Sequence, residues 1–114
     1  MNDTSPARST TASQRQPINL PLGRLLSTPG AIDAMAMAGQ EPMELIIRHR
    51  TGDWGEVDAE DWTANDQAIV DGERVLSAYT LQGGARVWII TEADNSVTNV
   101  ELNISRFMLS RHKC

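Results

Sequence analysis

Apolar and polar positions change their period along this chain. From residue 74 onward, short runs of β-branched and aromatic residues are separated by turn residues, which predicts strands over 74–81, 86–92 and 97–102. Val75, Tyr79 and Leu81 alternate with Leu76 and Ala78, and Val87 and Ile89 alternate with Trp88 and Ile90. Gln82-Gly83-Gly84-Ala85 is a hairpin signal, because glycine tolerates the positive φ of tight turns. The second strand is apolar on both faces, as a central strand with helices on one side should be. Its other face, at Trp88 and Ile90, calls for a cover: a second copy in a homodimer, or the chain's own N-terminal arm.

Before residue 74 the period is helical. Residues 20–26 form a short apolar lead-in that reads either as a strand or as an extended arm. Thr28 then caps a helix with Pro29 at its first position, 31–38 is rich in Ala and Met, and Gly39 stops it. Pro42 opens a second helix, which Gly52 ends. Both helices are too short to be stable alone and must pack on something. Asp58 caps a third, with Asp61 in the capping-box position and Glu60 and Asp61 in the first turn, where the helix dipole favours acids. Trp62 and Ile69 define its expected buried stripe, joined by Asn65 and Ala68, and Gly72 closes it. The expected fold is therefore α+β, a helical N-terminal half packed on a three-stranded antiparallel β-meander.

The ends differ from the middle. Residues 1–19 are rich in Ser, Thr, Gln and Pro and nearly free of large apolar side chains, so ordering them gains little burial. The expected organisation is a disordered tail over 1–19, one domain over 20–104 and a basic tail over 105–114. The final stretch, ISRFMLSRHKC, reads either as a short amphipathic helix or as a frayed basic end. No apolar run approaches the roughly 20 residues that span a bilayer, and the N-terminal stretch lacks the apolar block of a signal peptide, so a cytoplasmic location is expected.

Charge sharpens the picture. The chain carries a net charge of -5. Asp53, Glu56, Asp58, Glu60, Asp61, Asp66, Asp71 and Glu73 follow one another with no basic residue between them. Such a stretch repels phosphates, so direct nucleic-acid binding is not expected, whereas it is compatible with a basic protein partner or with mimicry of a phosphate backbone. Much of the acid also has a bland explanation in helix-start chemistry and a solvated helix face.

Catalytic constellations are scarce. The histidines are His49, late in the second helix where the dipole suits it, and His112 in the basic tail. Cys114 is the single cysteine, so no disulfide within the chain and no cysteine cluster is expected. No metal-ligand spacing such as H-x-x-x-H occurs, and nothing in the spacing sets Ser77 or Ser96 beside His49. No cofactor is expected. The most site-like stretch is 92–96, where Glu92 and Asp94 with Asn95 read either as carboxylates for a divalent metal or as a β-turn. Trp54, between Gly52 and Gly55, reads either as a packing anchor or as an exposed recognition aromatic.

WGEVDAED at 54–61, DGERVLSAYTL at 71–81 and RVWIITEADNSVT at 86–98 resemble a family of small proteins borne by plasmids and integrative elements of proteobacteria. In that family a W-G-[DE]-x-D-x-x-D segment precedes G-x-R-[IV]-L-S-A-Y and W-I-I-T-E-A-D-R-S-[AV]-T-T. Members are described as plasmid-related proteins, some as type I restriction methylase subunits. Nothing in this chain resembles the N-P-P-[FY] motif of an adenine methyltransferase, and roughly 95 residues are too few for a methyl-donor-binding domain. The chain has Asn95 where the family has Arg, and lacks an L-P-x-E-Y close after Leu102. The resemblance implies a mobile-element neighbourhood and not a mechanism. The function expected of the chain is that of a non-catalytic accessory protein of such an element, acting by protein–protein binding in an anti-defence or regulatory role. Asp53, Trp54, Glu56, Asp66, Asp71, Glu92, Asp94 and Asn95 are its candidate contact residues. The alternative is a small metal-dependent nuclease or hydrolase built on Glu92 and Asp94.

Overall fold

The computed structural model describes residues 17–103, so the expectations for residues 1–16 and for the basic tail, with His112 and Cys114, lie outside it. The fold is α+β, with three helices and a four-stranded mixed sheet. In chain order the elements are β1 (Arg24–Ser27), α1 (Pro29–Ala38), α2 (Pro42–Arg50), α3 (Ala59–Asp71), β2 (Val75–Thr80), β3 (Arg86–Thr91) and β4 (Val97–Leu102).

The sheet corrects the three-stranded expectation. Its order is β1-β4-β3-β2, and the lead-in supplies the fourth strand, which runs parallel to β4. Arg24 N–H donates to the Ser96 carbonyl and Thr28 N–H to that of Val100, each at 3.0 Å, fastening both ends of β1. Gly23 precedes it at φ +66°, packed so closely on the Ser96 carbonyl that a Cβ would not fit. The meander of β2, β3 and β4 is antiparallel throughout.

Helix boundaries follow the capping chemistry. Thr28 Oγ1 accepts from Ala31 N–H at 3.2 Å and Asp58 Oδ1 from Asp61 N–H at 2.8 Å. Gly39 and Gly72 end α1 and α3 in the left-handed conformation, and Thr51 rather than Gly52 caps α2. In α3 the buried positions are Asn65 and Ala68, whereas Trp62 and Ile69 are half-buried flanks. The reason is polar: the Asn65 amide must reach the sheet, which turns the helix so that its side chain points inward.

All three helices meet the same sheet face. Ala31 and Met35 of α1 and Leu45 and Ile46 of α2 pack with Tyr79, Val87, Ile89 and Val100. Beside them, Ala68 of α3 packs with Leu20, Trp54 and Val75, and Ile18 joins this second cluster. Packing therefore begins ahead of the boundary expected after residue 19. On the opposite face Ile90 is buried and Trp88 half-buried.

Candidate functional site

The deepest chemistry in the molecule is a polar chain running through its interior. Helical spacing puts His49 on the α2 face that also carries Leu45 and Ile46, and this face packs on the sheet. There His49 Nδ1 lies 2.6 Å from Ser77 Oγ, and Nε2 lies 2.9 Å from Thr91 Oγ1. Thr91 Oγ1 is 2.7 Å from Thr98 Oγ1, which donates to the Leu22 carbonyl at 2.8 Å. All four side chains are fully buried.

The last bond orients the rest. Each hydroxyl has one proton, so Thr98, having donated to Leu22, accepts from Thr91. Thr91 in turn accepts from Nε2–H of His49, which leaves Nδ1 to accept from Ser77. The ring is thus the neutral Nε2–H tautomer with both nitrogens satisfied. Burial holds its pKa down to about 4, from an ordinary value near 6.5. The indole of Trp54 meets the imidazole edge-on, with centroids 5.6 Å apart at 76°.

A Ser–His pair therefore exists that sequence spacing did not reveal, because its members lie 28 residues apart. The available signal was register: Ser77, Thr91 and Thr98 occupy inward positions that are otherwise apolar on their strands. With Ser77 and His49 both at 0 % exposure, the pair is a sealed structural joint. It links α2 across the sheet to the backbone of the segment leading into β1.

The acidic candidates divide by role. Asp66 Oδ1 accepts the indole N–H of Trp54 at 3.0 Å, and Trp54 is completely buried, which removes it as a surface contact residue. Asp53 pairs with Arg48 at 2.7 Å and caps Gly55 N–H through Oδ1 at 3.2 Å. Its hydrogen bond raises the Arg48 pKa, and the Arg48 guanidinium lies 4.6 Å over the Tyr79 ring. Tyr79 donates to the Asp53 carbonyl at 2.6 Å, and burial pushes its phenol up to about 12. Glu56 accepts from Thr80 Oγ1 at 2.5 Å and lies 3.9 Å from Arg86 Nη2. Asp71 stands exposed, held by Gln67 at 3.3 Å.

The 92–96 corner has the geometry of a turn. Asp94 Oδ1 accepts from Ser96 N–H at 3.0 Å, and hydrogen bonding to Ser96 lowers its pKa. Asn95 is the one non-glycine described residue at positive φ, 58°, a conformation its short side chain tolerates better than arginine would. Its amide donates to the Pro21 carbonyl at 3.1 Å. Among the described residues no three His, Cys, Asp or Glu side chains gather into a set able to hold a metal. No described helix is long and apolar enough to cross a membrane.

Searched against protein-family models, curated proteins and solved structures, the chain matches none. The residues that carry the motif resemblance have visible work in this structure: Trp54, Gly55 and Asp58 at the start of α3, Ser77 and Tyr79 on β2, and Thr91, Asp94 and Thr98 around the β3–β4 corner.

Proposed function

We propose that this chain is a protein-binding accessory factor of a plasmid or integrative element. It acts through the outer face of α3, which competes for a basic, nucleic-acid-binding surface of its partner. One observation carries this reading. Glu60, Asp61, Asp71 and Glu73 are exposed and make no ion pair among the described residues. Glu60 and Asp71 are eleven residues apart, about three turns at 3.6 residues each, so they share one stripe along the helix with Gln67 between them. The motif resemblance supports the mobile-element setting, and an anti-defence or regulatory role fits a face that presents charge without chemistry.

Asp53 is paired with Arg48, Asp66 accepts from the buried Trp54 and Glu56 leans on Thr80, so the informative reversal for this reading is Glu60→Lys with Asp71→Lys and Glu73→Lys. Exposed charges contribute little to stability, so the triple variant should fold normally. The partner captured from the native host should bind it about tenfold or more weakly, and its binding to the parent should weaken as ionic strength rises past about 0.1 M. A partner that binds parent and triple variant equally would end the acidic-face reading.

A further inference from the structure

Arg24 and Thr28 send their N–H groups inward to β4, so the two-residue period of the strand turns the backbone N–H and C=O of Leu25 and Ser27 outward. No described residue bonds them. Beside this open edge, between 19–25 and α2, runs a groove of about 480 Å³ lined by Leu22, Leu25, Met43, Ile46, Ile47 and Arg50. Leu25 and Ile46 continue it into a cavity of about 120 Å³ at Leu26, Ile32 and Pro42. Of seven exposed large hydrophobics among the described residues, five line this trough: Leu25, Leu26, Ile32, Met43 and Ile47. Such a concentration along a free edge is what strand addition requires, with main-chain bonds for affinity and pockets for alternate side chains.

We propose that β1 is a docking strand for an extended peptide of a partner protein, with apolar residues at alternate positions and a carboxylate at one end. Charge selects this occupant. The groove lining contains Arg50 and no acid, Arg24 stands exposed at the start of β1, and neither arginine is ion-paired among the described residues. The acidic face of α3 is a separate surface, screened over about 8 Å at physiological salt. The groove wall is already fixed. Leu20 N–H donates to the Arg50 carbonyl, Asn95 holds Pro21, and the buried hydroxyl chain holds Leu22. Docking therefore orders little of the protein itself.

The test is selection of a random twelve-residue peptide library on the full chain, followed by affinity measurement and amide exchange with the best peptide. Enriched sequences should alternate apolar residues and carry an acid near one end. Leu25→Pro, which removes an outward N–H together with an apolar side chain of the groove, and Arg50→Glu, on an exposed side chain, should each weaken that peptide about tenfold while both variants stay folded. Bound peptide should slow exchange at Leu25 and Ser27 and leave Leu26 unchanged. Enriched peptides without acid or alternation, protection elsewhere, or no enrichment would overturn the proposal. So would self-association of the chain that Leu25→Pro abolishes, since the occupant would then be a second copy. The α3 reading is untouched by any of these results, because the selection reports on β1.

Discussion

The two edges of the sheet are handled in opposite ways. At the β2 edge every outward backbone group of Leu76 and Ala78 is taken. Asn65 gives its amide to the Leu76 carbonyl at 2.8 Å and accepts from Leu76 N–H at 3.1 Å, imitating a neighbouring strand with one side chain. Ala78 N–H donates to the Trp54 carbonyl at 3.1 Å, and its carbonyl accepts from Glu56 N–H at 2.7 Å. Gly55 permits that approach: it sits at φ +76°, and a Cβ there would collide with the Ala78 carbonyl. At the β1 edge, Gly23 serves the inward side alone, and the outward side has apolar neighbours but no backbone partner among the described residues. Free edges invite pairing with other chains, so a fold that closes one so thoroughly and leaves the other beside a groove separates support from recognition.

The strongest way to break this contrast is Trp54→Ala. The indole is fully buried, bonded to Asp66 and packed on His49, so its loss should cost about 3–5 kcal/mol and release the segment covering β2. Chemical denaturation would measure this, and a cost below about 1 kcal/mol would show that the segment is not anchored by Trp54. Asn65→Ala should cost about 2–3 kcal/mol, because it strands the N–H and C=O of Leu76, and should speed exchange at the Leu76 amide.

Acid tests the interior that both edges share. His49 titrates near 4 in the fold and near 6.5 unfolded, so the unfolded state binds the extra proton between those values. Stability from this group is therefore complete above about pH 6.5 and falls as pH drops toward 4, by about 2 kcal/mol at pH 5. Denaturant midpoints across that range, compared with a non-titrating His49→Gln variant, would isolate it. An equal slope in the variant would mean that other groups set the pH dependence.

Much of this architecture could be read from the sequence where its cause is local. Thr28, Asp58, Gly39 and Gly72 mark helix ends by chemistry within three residues, and Gly83 and Gly84 mark the hairpin. What escaped depends on distant partners. The lead-in was readable as a strand or an arm, but its place in the sheet was not: β1 is four exposed residues without alternation, paired to residues 73 positions away in the chain, as in Arg24 with Val97. The roles of Asp53 and Asp66 were hidden for the same reason: Trp54 finds its acceptor 12 residues on, across a helix start. The candidate contact face was legible as a charge run, but which acids face outward was not.

The smallest expected effect belongs to the open edge. Leu25→Lys replaces a side chain already 44 % exposed, so stability should change by no more than about 0.5 kcal/mol, while binding of a β1-selected peptide should fall. A large loss of stability would mean that Leu25 supports the core.

Amide hydrogen exchange on the full chain, with no ligand added, compares the two edges residue by residue. Outward amides of Leu76 and Ala78 should exchange only through substantial unfolding, whereas those of Leu25 and Ser27 should exchange at nearly unprotected rates. Protection of Leu25 and Ser27 equal to that of Leu76 and Ala78 would show that the β1 edge is already covered, and would contradict the account.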